Sequence, residues 1–375
     1  MSVFGGFLFV AALLFSIGLH EAGHLATAKR FGIKATQFFI GFGPKIWSTH
    51  RGETEYGVKA LPLGGFVKIA GMNPFEDIAP EDRNRVFKAK PAWQRAIVLA
   101  AGSFTHFVLA FVIAIATFSL IGVADVDRPT TTIESVSAQV DGEPSPARAA
   151  GLEAGDTIVA VQDERVSSWS ETIEILKARP GKRTRITIER DGVERTVTAV
   201  LATHRPGETE RVGFLGVGPT YENTRLGLLD SVGESGVLLG RGTVESLKGL
   251  ASLFSPSMLS RLFGQLTGTV ERAPEDPATV VGLTGTAGGL ASQGDFSTFF
   301  LLIAAFNIFI GVANLLPLPP LDGGHLAVLA YEKIRGREVD IRKLIPITAT
   351  VITIFGSLFL LLLVLDITQP ISPPR

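Results

Sequence analysis

The chain carries His20-Glu21-Ala22-Gly23-His24, two histidines four residues apart with a glutamate beside the first. On a helix, an i, i+4 spacing puts both imidazoles on one face, where they can grip a single Zn²⁺. Glu21 then lies near enough to take a proton from a water on the metal, so the pentad predicts hydrolysis by metal-activated water. A catalytic zinc needs a third protein ligand and an open fourth position. The chain has no Cys and only six His, which excludes a thiol nucleophile, a disulfide framework, an iron–sulfur cluster and Cys-ligated zinc. The third ligand must be His or a carboxylate.

The sequence offers one at Asn314-Leu315-Leu316-Pro317-Leu318-Pro319-Pro320-Leu321-Asp322-Gly323-Gly324-His325. The prolines prohibit regular helix and the two glycines allow an unusual backbone path. Such irregular backbone at membrane depth is tolerated where protein or a watery cavity surrounds it. Asp322 is the candidate third ligand, and Asn314 a candidate polar contact to substrate or to the transition-state oxygen. The competing reading is a Pro-rich loop leaving a membrane, with Asp322 capping the helix that His325 begins. His325 is either a partner that orients Asp322 or a packing residue.

These groups need elements to hold them. The chain has 375 residues, 35 Lys+Arg against 36 Asp+Glu, and 19% charged residues where a soluble domain averages about a quarter. Near-neutral charge predicts no nucleic-acid partner. The apolar excess sits in four blocks, 1–28, 93–122, 296–316 and 345–366. Each is long enough for a hydrocarbon layer of about 30 Å, which needs about 20 residues. Ala26-Thr27-Ala28 resembles a signal-peptide cleavage site, but no Lys or Arg precedes Lys29, so block one reads as a retained helix. The expected fold is a polytopic α-helical membrane protein with four transmembrane helices.

Lys29, Arg30 and Lys34 follow block one, Arg83, Arg85, Lys88, Lys90 and Arg95 lead into block two, and Arg335, Arg337, Arg342 and Lys343 precede block four. The positive-inside rule therefore places segments 29–92 and 317–344 in the cytoplasm and both termini outside, with the 123–295 insert. His20 falls near the cytoplasmic side but within hydrocarbon depth. Ionisable residues there are costly and mark function.

Within 29–92, Tyr56–Leu61 and Gly64–Ile69 read as short strands joined through Pro62-Leu63-Gly64-Gly65 as a hairpin. A peptide bond in a transmembrane helix is shielded by its own hydrogen bonds, so cutting it requires unwinding and replacement partners. Gly64, Gly65, Phe66 and Val67 are the candidate edge for β-augmentation of a substrate. The alternative is a soluble hairpin on the inner membrane face.

The insert over 128–220 is β-rich, with strands at 131–136, 157–161, 185–189 and 196–200, a tight turn at Asp191-Gly192, and a helix at 169–178 capped by Ser168 and Glu171. Ser145-Pro146-Ala147-x-Ala149-Ala150-Gly151-Leu152-x-x-Gly155-Asp156 resembles the bacterial PDZ arrangement, which implies binding of a peptide strand or C-terminus on an exposed edge. Segment 221–295 is Gly-rich and amphipathic, with a helix expected over 237–263.

Together, the His20/Glu21/His24 motif, Leu321-Asp322-Gly323 after Asn314-Leu-Leu-Pro-x-Pro, and a PDZ-like extracytoplasmic insert resemble the site-2 proteases, intramembrane zinc metalloproteases. The single-insert organisation is similar to the bacterial branch that cleaves membrane-spanning anti-sigma factors. The resemblance implies Zn²⁺ on His20, His24 and Asp322, Glu21 as general base, a re-entrant β-loop on the cytoplasmic side, and a bacterial cell membrane location. It also implies a single-pass transmembrane substrate already shortened by another protease. One departure stands out: the family's second helix often shows Gly-Pro-x-x-Asn, whereas this chain reads Gly102-Ser103-Phe104-Thr105-His106. Two rivals from other classes are a catalytically silent PDZ-bearing membrane scaffold and a proton path. The second would need charges at several helix midplanes, and here they cluster at one depth.

Overall fold

The computed structural model describes residues 2–73, 76–273 and 275–370. They form two compact units, one running to Ile121 and resuming at Leu226, the other spanning Gly122–Arg225. The first opens with α1 (Ser2–Arg30), in which Lys29 and Arg30 fall in the last turn, where the helix dipole favours cations. Strands β1 (Ala35–Arg51) and β2 (Thr54–Ile69) follow, then α2 (Ala92–Ala116), which runs on as a π-helical turn over Thr117–Ile121.

The second unit contains β3 (Val123–Val136), β4 (Gln139–Val140), β5 (Glu143–Pro144), α3 (Pro146–Ala149), β6 (Thr157–Val161), β7 (Glu164–Arg165), α4 (Trp169–Lys177), β8 (Arg183–Arg190), β9 (Val193–Val200) and β10 (Val217–Thr224). The first unit then resumes with α5 (Leu228–Ser252), α6 (Pro256–Leu266), α7 (Val280–Gln293), α8 (Phe296–Asn314), α9 (Asp322–Arg335) and α10 (Ile341–Thr368).

Among the described residues four helices are long and apolar enough to cross a membrane: α1, α2 with its π turn, α8 and α10. Helix α8 ends at Asn314, short of the expected Leu316, because Pro317 cannot continue the ladder. Glycines set how closely α1 meets its neighbours. A methyl group on Gly5 would collide with Ala291 of α7, and one on Gly23 would come within 2.8 Å of the Ala101 carbonyl of α2. Small residues at such contacts let backbones approach where lipid gives no hydrophobic drive. Phe9, Leu13, Leu290, Phe299 and Ile303 fill the space between α1, α7 and α8. The expected helix over 237–263 is instead two, because Leu253–Ser255 breaks it and Ser255 caps α6 by accepting from the Met258 N–H at 3.2 Å.

The hairpin expected across Pro62–Gly65 is corrected by the register. Its two halves do not pair with each other: Phe38 of β1 faces Tyr56 on one side and Val67 on the other. The turn lies at Gly52-Glu53, and both long strands bend near Phe42 and Leu61. Gly41, Gly43 and Gly64 have φ of 92°, 79° and 150°, values that residues with a Cβ rarely adopt, and so permit the fold-back. The result is four short runs side by side, with Gly65–Ile69 at one edge.

In the second unit the sheet order is β10-β3-β6-β8-β9, all antiparallel, with β7 beside β6. Its core is Ile133, Ile158, Ile186, Ile188 and Leu201, closed by Leu176 of α4. Asp191 and Gly192 take φ of 53° and 75°, the positive pair that a two-residue hairpin turn requires. Ser168 caps α4 by accepting from the Glu171 N–H, and the Glu171 carboxylate reaches back to the Ser167 N–H at 2.8 Å.

Candidate metal centre

Helix α1 places His20 and His24 one turn apart, both buried, with their Nε2 atoms 3.1 Å from each other. Nδ1 of His24 lies 2.7 Å from the carbonyl oxygen of Val98 on α2. A carbonyl only accepts, so Nδ1 carries the hydrogen and Nε2 is left bare for a metal. Gly102 makes room for this arrangement: a methyl group there would run into Nε2 of His24 and come 2.7 Å from Nε2 of His20.

Asp322 arrives from the far end of the chain at the first turn of α9. Its Oδ2 is 3.4 Å from Nε2 of each histidine. The turn between α8 and α9 is tight enough that a Cβ on Gly323 would strike the Leu315 carbonyl, and one on Gly324 would lie 2.5 Å from the Leu318 carbonyl carbon. Asp322 does not cap α9: the capping position is Leu321, with no side-chain bond. Asn314 closes α8, half-buried, and supplies no atom to the triangle. His325 lies exposed on α9 and is likewise outside it.

The donor set fits a metal. Edges of 3.1, 3.4 and 3.4 Å match one face of a tetrahedron around an ion with bonds of roughly 2.0–2.1 Å, whose edges are about 3.3 Å. Among the described residues Oδ2 of Asp322 is buried without a hydrogen-bond partner. A buried carboxylate oxygen aimed at two imidazole lone pairs is unfavourable unless a cation lies between them. Three protein donors leave a fourth position, the pattern of a catalytic rather than a structural site.

Glu21 faces the β1–β2 sheet. A Cβ on Gly65 would sit 2.9 Å from Cγ of Glu21, and the Val67 backbone N–H faces its carboxyl group. Phe66 stacks on Phe39 and Phe42, with centroids 5.7 and 6.2 Å apart, and Gly64 lies against the Phe42 ring. The edge run Gly65–Val67 therefore meets the acid of the metal motif.

Two features escape a reading of the sequence. Gly102 matches the glycine of the family's second-helix element, but its reason does not show in the sequence, since its need is created by α1. Asn307 is fully buried, its Oδ1 2.8 Å from Nδ1 of His106, whose ring centroid is 5.1 Å from that of His20. Asn307 Nδ2 donates to the Ile303 carbonyl at 2.9 Å, so Oδ1 accepts and His106 donates through Nδ1. An asparagine in the middle of the apolar run of α8, about two turns before Asn314, is the one clue the sequence holds.

Two histidines and an aspartate that could hold a metal, with a glutamate beside them and four helices apolar enough to cross a membrane, are the pattern of a membrane metallopeptidase class. Residues 8–363 match Peptidase family M50, and the chain belongs to that family, the site-2 proteases. The zinc metalloprotease Rip1 of Mycobacterium tuberculosis is 35% identical over 403 residues, covering 99% of this chain and 99% of its own. The zinc metalloprotease RasP of Geobacillus kaustophilus is 30% identical over 431 residues, covering 93% of each. The PDZ domain of an SdrC-like protein from Listeria monocytogenes aligns at 18% identity with 25% of this chain and 92% of its own length, with a TM-score of 0.21.

Proposed function

We propose that this chain is a zinc endopeptidase that hydrolyses a peptide bond within a locally unwound transmembrane segment of another membrane protein. The observation that carries this reading is the convergence of His20, His24 and Asp322, from opposite ends of the chain, on one buried point beside Glu21. Zn²⁺, when bound by those three, supplies Lewis-acid polarisation of a carbonyl and a more acidic water. Glu21 takes the proton of the attacking water and returns it to the amine of the leaving strand. The edge Gly64–Val67 offers main-chain partners to a substrate that has given up its helical hydrogen bonds, and Asn314 contacts it further along.

The basic residues beside the apolar helices support an orientation with the metal centre near the cytoplasmic face and both termini and the insert outside the cell membrane. In the PDZ-like unit, α4 and the run Phe214–Val217 border a groove of about 380 Å³ that carries Lys177 and Arg205 against one acid, Glu208. Such a groove suits a peptide carboxylate or an acidic strand end. The substrate class that fits is a single-pass regulator of the anti-sigma type, shortened beforehand by another protease.

The test is reconstitution with a single-pass substrate, comparing the native chain with Glu21→Gln. Loss of cleavage with zinc and fold retained supports the peptidase. Unchanged function in Glu21→Gln would establish the rival, a silent scaffold acting through its PDZ-like unit.

A further inference from the structure

A cavity beside the α8–α9 turn is lined by none of the residues that the proposed reaction uses. It has a volume of about 460 Å³ and is enclosed by the start of α2, α9, the first turns of α10 and the Pro319-Pro320 step. Its two ends differ in chemistry. Leu99, Leu329, Ile345 and Ile352 make an apolar wall, whereas Lys88 and Arg95 stand at the polar end. Nε of Arg95 is buried without a hydrogen-bond partner among the described residues.

Arg95 and Lys88 each have one carboxylate within ion-pairing distance, and the Arg95 guanidinium lies 6.0 Å from the Phe87 ring centroid, but among the described residues no carboxylate hydrogen-bonds Arg95. Glu332 also lines the cavity, but stands 3.7 Å from Arg95 and accepts from the Val339 N–H at 3.1 Å with its other oxygen. Glu338 meets Lys88 at 3.1 Å, with 75% of its side chain exposed, and does not line the cavity. An exposed pair of this kind contributes little and is readily exchanged for another anion. Basic pockets between transmembrane helices at the membrane–water boundary hold anionic lipid head groups.

We propose that this cavity binds one anionic phospholipid, with its phosphate at Arg95 and Lys88 and an acyl chain along Leu99, Leu329 and Ile352. The proposal needs the membrane setting of α2 and α10 but not the peptidase reading. Its consequence for the metal centre is mechanical. Pro320 lies two residues before Asp322, so a chain filling the cavity braces the segment that delivers the third ligand.

The test reads binding, so that its failure and a failure of the peptidase reading are distinct. The full chain is delipidated in detergent, offered equimolar phosphatidylglycerol and phosphatidylcholine, and examined by native mass spectrometry. The native chain is expected to retain one phosphatidylglycerol in preference to phosphatidylcholine. Arg95→Gln and Lys88→Gln should each weaken retention by about five-fold, the effect of one cation near a lipid surface. Ala349→Trp leaves both cations in place and, starting from an exposed alanine on the cavity wall, should abolish retention by filling the space. Equal retention of the two lipids, or undiminished phosphatidylglycerol in Ala349→Trp, overturns the proposal. Displacement by millimolar glycerol phosphate also overturns it, in favour of a small-phosphate site.

Discussion

His24 and Val98 are joined by a 2.7 Å hydrogen bond from the imidazole Nδ1 to the backbone carbonyl of α2. The bond decides the tautomer, and the tautomer turns a bare Nε2 toward His20 and Asp322. Because the acceptor is main chain, the relationship survives any side chain at position 98 and depends only on how closely α1 and α2 pack.

Metal content follows from this geometry. His20→Ala, His24→Ala and Asp322→Ala should each weaken zinc binding by more than the roughly 10–100-fold that loss of an outer partner costs. Glu21→Gln should keep zinc near the native level and lower the cleavage rate by about 10²–10⁴-fold, the usual worth of a general base. Zinc quantification beside a cleavage assay checks both. Full zinc retention in the Asp322 and His20 variants would sink the ligand assignment.

Gly102 is the sharpest test of helix approach. Gly102→Ala inserts a methyl group where His24 Nε2 already lies, with His20 Nε2 2.7 Å away. The histidines must rotate or the helices part, costing on the order of 1–3 kcal/mol. Zinc affinity should fall although no ligand is removed, whereas Gly285→Ala in α7, where a Cβ meets open space, should leave it unchanged.

How much of this is legible in the sequence divides along physical lines. His20, Glu21 and His24 sit on one helix, and a helix's geometry is local, so spacing alone aligns them. Asp322 is legible because prolines and glycines on either side of a single acid in an apolar setting mark a backbone bent to hold that acid in place. Gly102 and the Val98 carbonyl are not, because their roles exist only once α1 lies against α2. Strand β1 is hidden for a related reason: its Gly41-Phe42-Gly43-Pro44 bend reads as a loop until β2 pairs on both sides of Phe38. The α5–α6 break is hidden because the apolar pattern passes unbroken through Leu253 and Phe254, while the stop is set by the Ser255-Pro256 cap.

The second unit should lose stability in acid through Asp156. Burial pushes its carboxyl upward, but hydrogen bonds from the Arg190 guanidinium at 2.6 and 2.7 Å and from the Glu153 N–H outweigh it, and the net shift is downward. A carboxylate lowered in the folded state stabilises fully above its unfolded pKa of about 3.9. That contribution disappears as pH falls from there through the lower folded value. Protection of residues 122–225 against hydrogen exchange in the full chain, corrected for the intrinsic rate at each pH, should therefore fall below about pH 4. Asp156→Asn should lack this component and be weaker at neutral pH by about 2 kcal/mol, the worth of charged hydrogen bonds.

The contact between Glu21 and the β2 edge yields the last prediction. Gly65→Ala places a methyl group 2.9 Å from Cγ of Glu21, and Val67→Pro removes the N–H that the carboxyl group meets. Neither residue belongs to the ligand triangle, so zinc content should stay at the native level in both. Displacing the acid by even about 1 Å from its working position costs on the order of 10²-fold in rate. Val67→Pro also puts a proline into the edge run offered to substrate, and should raise KM as well as lower kcat. Gly65→Ala, which leaves the backbone of that run able to pair, should act mainly on kcat. Native kinetics in Gly65→Ala would mean that Glu21 does its work without the strand's support, and the substrate edge would have to be sought elsewhere on the sheet.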